Sequence, residues 1–229
     1  ADACDVVTFE FENVPVPPLE TITGLVPVYP PLKALEVAQD RAAEKYFVRA
    51  LGGKTAEFAV AEDESALPAA IDTVGLPCIL KTIRFGYDGK GQLLINNRAE
   101  LRGGFEKLGG VPCVFEQFLA LHSEVSVIVA RDKKGDTSVF PVAENQHCNG
   151  ILDLTISPAR ISDLLAAKAT KMAVSLAEAL RYEGILCVEF FVLKDDVLII
   201  NEIAPRPHNS GHFTIDACNV SQFEQQVRV

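Results

Sequence analysis

Residues 185–203, ILCVEFFVLKDDVLIINEI, read as two apolar strands joined at Lys194-Asp195-Asp196. Short runs rich in β-branched and aromatic residues, bounded by a polar turn, are strand signals. Each strand carries one acid, Glu189 or Glu202. Charges are rarely buried unless paired or bound to metal. A two-residue turn at 195–196 pairs Lys194 with Val197 and therefore Glu189 with Glu202. A four-residue turn keeps the same register. Directly opposed side chains on one face have Cβ atoms about 5 Å apart. Two carboxylates that close repel, and one takes up a proton unless a cation lies between them. Oxygen ligands alone favour Mg²⁺ or Mn²⁺ over zinc. A three-residue turn would shift the pairing by one, and a solvated face would leave the acids without a ligand. The residues alone leave these alternatives open.

Outward from this hairpin the chain alternates helices and strands, which argues an α/β or α+β class. Upstream, a helix spans about 162–181, with Ser162 as N-cap and Leu165, Ala169, Met172, Leu176 and Leu180 on one apolar face. Strands are expected at 124–131 and 137–142. His147 falls in a stretch that reads as a loop, and His122 reads as a surface residue. Residues 77–119 form a unit of strand (78–83), glycine loop (86–91), strand (92–96), helix (98–108) and strand (111–118). Nearer the start, DVVTFEF (5–11) reads as a strand, and helices are expected at about 18–23, 31–37, 40–51 and 64–74, with a strand at 55–60. Ala1 is not an initiator Met and that first strand begins almost at once, so the sequence reads as a fragment.

The chain has 229 residues. Surface scaling buries roughly 70% of an extended chain of this size, enough for a core without disulfides. Lys+Arg 21 against Asp+Glu 31 gives a net charge of -10, which argues against a nucleic-acid partner. A small phosphorylated ligand held by a few local cations stays open. No apolar run approaches the roughly 18 residues of a membrane span, and residues 1–12 carry no basic n-region, so neither membrane nor secretory signal is expected here. Cys4, Cys78, Cys113, Cys148, Cys187 and Cys218 show no metal-like spacing, and most read as buried core residues of a reduced, cytoplasmic protein.

Two further stretches carry chemistry. In Gly86-Tyr87-Asp88-Gly89-Lys90-Gly91-Gln92 the glycines allow backbone N–H groups to approach a phosphate, although a plain hairpin turn explains them equally. Lys81 closes the strand beneath this loop and could point at an anion or snorkel to solvent. In Ala204-Pro205-Arg206-Pro207-His208-Asn209-Ser210-Gly211-His212, donors crowd directly after Glu202, which suits an oxyanion or phosphate unless it is a polar connecting loop.

Together, TFEFENV (8–14), QDRAAEK (39–45), LKTIRFGYDGKGQ (80–92), EQFL (116–119), EVSVIVAR (124–131), VAENQH (142–147), VEFF (188–191), NEIAPRPHNSGH (201–212) and SQFEQQVR (221–228) resemble the ATP-grasp superfamily. Within it they resemble the branch that carboxylates 5-aminoimidazole ribonucleotide in purine biosynthesis. NEIAPRPHNSGH is the most specific of these motifs. The resemblance implies an ATP-grasp fold following the remnant of a Rossmann-like domain. Residues 1–30 would close that domain, 31–76 would link it to the ATP-grasp domain, 77–119 would form the small lobe and 120–229 the large lobe. It implies ATP and Mg²⁺ (or Mn²⁺) as cofactors, bicarbonate and 5-aminoimidazole ribonucleotide as substrates, and a homodimer. Residue by residue, it implies that Arg41, Lys81 and His147 contact ATP phosphates and that Gly86 to Gln92, including Gly89, Lys90 and Gly91, cover them. Glu116, Gln117, Phe118 and Leu119 would read adenine, Glu124 would hold the ribose hydroxyls, and Glu189 and Glu202, with Asn201 beside them, would hold the metal. Tyr87, Asp88, Arg206, His208, Asn209 and Ser210 would surround bicarbonate and the ribonucleotide, with Arg206 and His208 positioning the reacting anion. Members of the family also open with a Gly-rich strand–turn–helix and continue into a small C-terminal domain, and this sequence contains neither. The alternatives are an ATP-grasp ligase with a different acceptor and a nucleotide-binding module without catalysis.

Overall fold

A computed structural model describes residues 3–86, 89–148 and 150–229. Three helices come first: α1 (Val16–Thr23), α2 (Leu32–Ala38) and α3 (Arg41–Ala50). Asp40 caps α3, its carboxylate accepting from the N–H groups of Ala42 and Ala43 at 3.0 Å each, which satisfies two otherwise orphaned donors. The cap fixes the start of α3, and with it Arg41, against the end of a strand: Arg41 N–H donates to Ile83 O at 3.1 Å.

The strand expected at 5–11 does not form. Val7 makes a single parallel bridge to Val28, through Val7 N–H to Pro27 O and Tyr29 N–H to Val7 O, both 2.9 Å. Pro27, Pro30 and Pro31 lack the N–H groups that would extend the ladder.

The strands β1 (Phe58–Ala61), β2 (Cys78–Thr82), β3 (Gln92–Ile95) and β4 (Cys113–Gln117) form an antiparallel sheet in the order β1-β4-β2-β3. Its apolar side is covered by α4 (Leu67–Val74) and α5 (Leu101–Lys107), with Leu80, Phe115 and Ile71 almost fully buried between them.

The larger sheet contains β5 (Ser123–Arg131), β6 (Thr137–Val139), β7 (Ala143–Cys148), β8 (Ile151–Ile156), β9 (Gly184–Val192) and β10 (Leu198–Ala204). Its order is β10-β9-β5-β7-β8, with β6 paired to β5. The helix α6 (Asp163–Ala179) is capped by Ser162 as the sequence predicts. It lies on one face, burying Leu165, Ala169 and Leu176 against Val127, Val188 and Phe190. The opposite face carries Glu124, Ser126, Glu189 and Phe191, which alternate with those core residues as the two-residue strand period requires. The short helices α7 (Thr214–Ala217) and α8 (Gln222–Arg228) close the chain, α8 packing against β9 and β5.

The β7–β8 hairpin is absent from the sequence reading, which left His147 in a loop; His147 lies on β7. AENQHC is too polar to announce a strand, because its side chains bond partners on other segments, Glu144 with Arg160, Asn145 with Ser126 and Thr155, and His147 with Glu124. The expectation of mostly buried cysteines holds for Cys78, Cys113 and Cys187, whereas Cys4 and Cys148 are exposed and Cys218 half-buried.

Candidate active site

Pairing of β9 with β10 sets Glu189 opposite Glu202, but not through a two- or four-residue turn. Leu198, Ile199 and Ile200 pair with Val192, Phe191 and Phe190, and Leu193 N–H reaches Val197 O at 2.9 Å. The turn therefore holds three residues, with Asp195 and Asp196 in left-handed conformations at φ 61° and 57°. Continued unbroken, that register would put Asn201 opposite Glu189 and turn Glu202 into the apolar core. A bulge between Ile200 and Glu202 adds one residue and restores the acid pair. Asn201 Nδ2 then donates to Glu189 Oε2 at 3.4 Å.

Glu189, Asn201 and Glu202 line a cavity of about 310 Å³ between the two sheets. Of the residues singled out in the sequence, Arg41, Lys81, Gly86, Gly89, Lys90, Gln92, Glu124, His147, Arg206, His208 and Asn209 share it. Gly91, Glu116, Gln117, Phe118, Leu119 and Ser210 are not among its lining. Tyr87 and Asp88 lie outside the described residues. The glycine loop is both the turn of the β2–β3 hairpin and the cavity's rim. Gly91 holds φ +72°, and a Cβ there would sit 2.8 Å from Thr82 Oγ1; one on Gly86 would sit 2.9 Å from Arg41 Nη2.

The electrostatics begin with the acid pair. Burial, reinforced by Glu202, pushes Glu189 up to about 7, with His147 opposing. Burial works against Glu202 as well, but Arg41, Lys81 and His208 hold it below the usual carboxylate range. Arg41 Nη1 lies 3.5 Å from Glu202 Oε2. Among the described residues no three His, Cys, Asp or Glu side chains form a metal cage. Two carboxylates and an amide are nonetheless a donor set of hard oxygens. Asn201 Oδ1 is buried without a hydrogen-bond partner among the described residues, and a divalent ion would offset the repulsion between Glu189 and Glu202. These residues therefore fit Mg²⁺, which takes one or two carboxylates and leaves its other positions to phosphates and water.

Lys81 does not snorkel. It is buried, and its Nζ donates to Glu116 Oε2 at 2.9 Å. Lys45 approaches the other oxygen, Oε1, at 3.1 Å. Burial alone would raise Glu116, yet Lys81 and Lys45 hold it at about 2. Burial lowers Lys81 despite Glu116. Glu44, also on α3, accepts from Ile203 N–H just beyond the bulge. Burial and then Glu202 push it up to about 8.

His147 Nδ1 lies 3.1 Å from Glu124 Oε2, and this hydrogen bond raises the imidazole above its ordinary value. Arg206 is held by Glu12 through two contacts, 3.2 and 3.3 Å, so its charge reaches the cavity partly neutralised. Burial, with Arg206 adding to it, pushes His208 down to about 4. Its Nε2 faces Glu189 Oε1 at 3.3 Å.

The sequence reading missed Glu12, Glu44, Lys45 and Gln222. All four lie inside quoted motifs, but only the fold reveals their partners. Gln222 is fully buried; its Oε1 accepts from His208 N–H at 2.9 Å and its Nε2 donates to His208 O at 2.7 Å. A Cβ on Gly211 would collide with this side chain and with Ile128. Gly211→Ala is therefore expected to cost about 1–3 kcal/mol of stability through overpacking. Urea unfolding measures it, and a loss under about 0.5 kcal/mol, the scatter of neutral surface changes, would contradict the tight fit.

Two antiparallel sheets enclose paired acids, a strand lysine and a glycine rim, a set of charges and donors that fits a nucleotide and a divalent ion. Residues 46–223 match the family model of the ATP-grasp domain, and residues 1–39 that of the ribonucleotide synthetase preATP-grasp domain. The chain belongs to the ATP-grasp family. More particularly, it is similar to N5-carboxyaminoimidazole ribonucleotide synthase of Brucella melitensis, with 46% identity over all of this chain and 64% of that protein. A crystallised N5-carboxyaminoimidazole ribonucleotide synthetase in complex with ADP superposes with TM-score 0.95 at 41% identity, covering all of this chain and 60% of that one. The Aspergillus clavatus synthase in complex with ADP and 5-aminoimidazole ribonucleotide superposes with TM-score 0.91 at 31% identity, over all of this chain and 60% of that one. The chain thus spans somewhat less than two thirds of these relatives. No described helix is long and apolar enough to cross a membrane.

Proposed function

We propose that this chain is the catalytic part of a cytoplasmic, homodimeric enzyme that carboxylates 5-aminoimidazole ribonucleotide. The reaction consumes ATP and bicarbonate and yields ADP, phosphate and 5-(carboxyamino)imidazole ribonucleotide. The observation that carries this reading is the register of Glu189 with Glu202 in a cavity that also holds Arg41, Lys81, Arg206 and His208. The relatives' names supply the acceptor.

Glu189, Glu202 and Asn201 would hold Mg²⁺, which when bound offsets charge on the transferring phosphoryl group. Arg41, Lys81 and His147 cradle the nucleotide phosphates, and Glu124 accepts from the ribose hydroxyls. Glu116 spends its carboxylate on two lysines, so contact with adenine falls to the backbone of this segment and to Gln117, Phe118 and Leu119. Arg206, His208 and Asn209 place bicarbonate so that one oxygen attacks the γ-phosphorus as the bond to ADP breaks. The resulting carboxyphosphate splits into phosphate and CO₂. The substrate amine then forms the new N–C bond and loses one proton. The rim at Gly86, Gly89, Lys90 and Gln92 closes over the reactants and excludes water, which would otherwise consume the acyl phosphate.

The test is ADP release by the full-length protein with each substrate withheld in turn. Turnover should require both bicarbonate and 5-aminoimidazole ribonucleotide. Release that needs bicarbonate but ignores the ribonucleotide would assign a different acceptor. ATP binding without turnover would make the chain a non-catalytic nucleotide module.

A further inference from the structure

His208 is the N-cap of the short 3-10 turn Asn209–Gly211, and its Nδ1 accepts the backbone N–H of Ser210 at 3.2 Å. A backbone amide can only donate, so this longer contact favours a lone pair on Nδ1. The same nitrogen lies 2.8 Å from Ser210 Oγ. Ser210 Oγ in turn accepts from Ser126 Oγ at 2.7 Å, and Ser126 Oγ accepts from Asn145 Nδ2 at 3.0 Å. Thr155 Oγ1 donates to Asn145 Oδ1 at 3.1 Å, which orients the amide. Each hydroxyl is thus supplied with a donor from behind and passes its own hydrogen forward. Cys187 Sγ, 3.8 Å from Ser210 Oγ, can add a second donor on the same side. Ser126, Asn145 and Ser210 are at most 4% exposed, so no solvent is at hand to reverse the chain.

We infer that Asn145, Ser126 and Ser210 form a positioning chain that fixes the tautomer of His208, leaving Nδ1 as acceptor and the hydrogen on Nε2. Which imidazole nitrogen carries the hydrogen is set by the hydrogen bond the other makes. Nε2 is the atom that faces Glu189 and the cavity. His208 therefore presents a donor to a carboxylate or to an anionic reactant, and does not serve as a base on that side. Ser126 is not itself among the cavity lining, its hydroxyl bonds Ser210 and not the ring, and it acts through Ser210.

The structural arm of the test does not depend on the proposed reaction. Long-range proton–nitrogen correlation spectra of ¹⁵N-labelled, unliganded protein at roughly pH 8, where an ordinary imidazole is neutral, should give a pyrrole-type Nε2 and a pyridine-type Nδ1 for His208. Ser126→Ala leaves Ser210 Oγ free to accept instead of donate. A share of the Nδ1–H tautomer should then appear, giving up only the longer 3.2 Å contact from Ser210 N–H. Ser126→Thr, which keeps the hydroxyl, should suppress it again. The kinetic arm rests on the carboxylation reading. There Ser126→Ala should lower kcat roughly tenfold, as loss of outer hydrogen-bond partners typically does, with KM for ATP unchanged. A tautomer mixture in the unaltered protein overturns the proposal, and so does a pure Nε2–H form in Ser126→Ala. If Ser126→Ala does not fold, Ser210→Ala takes its place and is read in the same way. A failed carboxylation assay with an intact tautomer signature would reject the reaction and leave the positioning chain standing.

Discussion

On the proposed carboxylation, Glu202→Gln in the full-length protein is expected to lower bicarbonate-dependent ADP release by roughly 100- to 1000-fold, the range for losing one charge-stabilising group in a closed site. The substitution preserves shape and one acceptor oxygen but removes the charge that Arg41 meets at 3.5 Å and that Glu189 opposes across the hairpin. The fold should survive, because relief of the repulsion on Glu189 offsets part of the pairing lost with Arg41. For the same reason Glu189 should ionise more readily in the variant. The loss should therefore appear in kcat more than in KM for ATP, since Arg41, Lys81 and His147 remain. Turnover within about tenfold of the unaltered enzyme would remove Glu202 from the reacting centre, whatever the family.

Glu116→Gln should cost about 3–5 kcal/mol of folding stability, the usual consequence of removing one partner from a buried ion pair. Glu116 is 3% exposed and answers two lysines, Lys45 and Lys81, themselves 2% and 8% exposed. The depression of its pKa from 4.5 to about 2 corresponds to a contribution of about 3 kcal/mol. Because the folded-state value lies below the unfolded one, that contribution is present above pH 4.5 and fades as pH falls toward 2. The gap in unfolding free energy between the two proteins, measured in urea, should be full at about pH 7 and shrink below about pH 4.5. A gap under about 1 kcal/mol at neutral pH, the worth of an exposed pair, would mean that the lysines find other company.

The hairpin acids, Lys81 and the cap at Ser162 were legible because each departs from its surroundings: a charge in an apolar run, or a hydroxyl before a helical period; Arg41, in the polar stretch QDRAAEK, came only from the family resemblance. Fold class followed from the alternation of elements. The β7–β8 hairpin was hidden, since Asn145 and His147 spend their polar groups on partners that only tertiary folding brings near. Glu12 and Arg206 are 194 positions apart, and no local pattern announces such a pair. The same holds for Lys45 and Glu116, whose burial contradicts the usual expectation for both residue types. The turn at 194–196 was misjudged for a different reason: residue identity does not set its length, and left-handed Asp195 and Asp196 accommodate three residues where two or four were expected.

The bulge at Asn201 gives the β9–β10 ribbon an odd count on one arm that cancels the odd count at its tip. The two irregularities keep parity only as a couple. Changing the tip by a single residue while the bulge stays would flip the side chains of β10, apolar and acidic alike, to the other face and carry Glu202 away from its counterpart. This part of the molecule thus tolerates altered letters better than altered spacing.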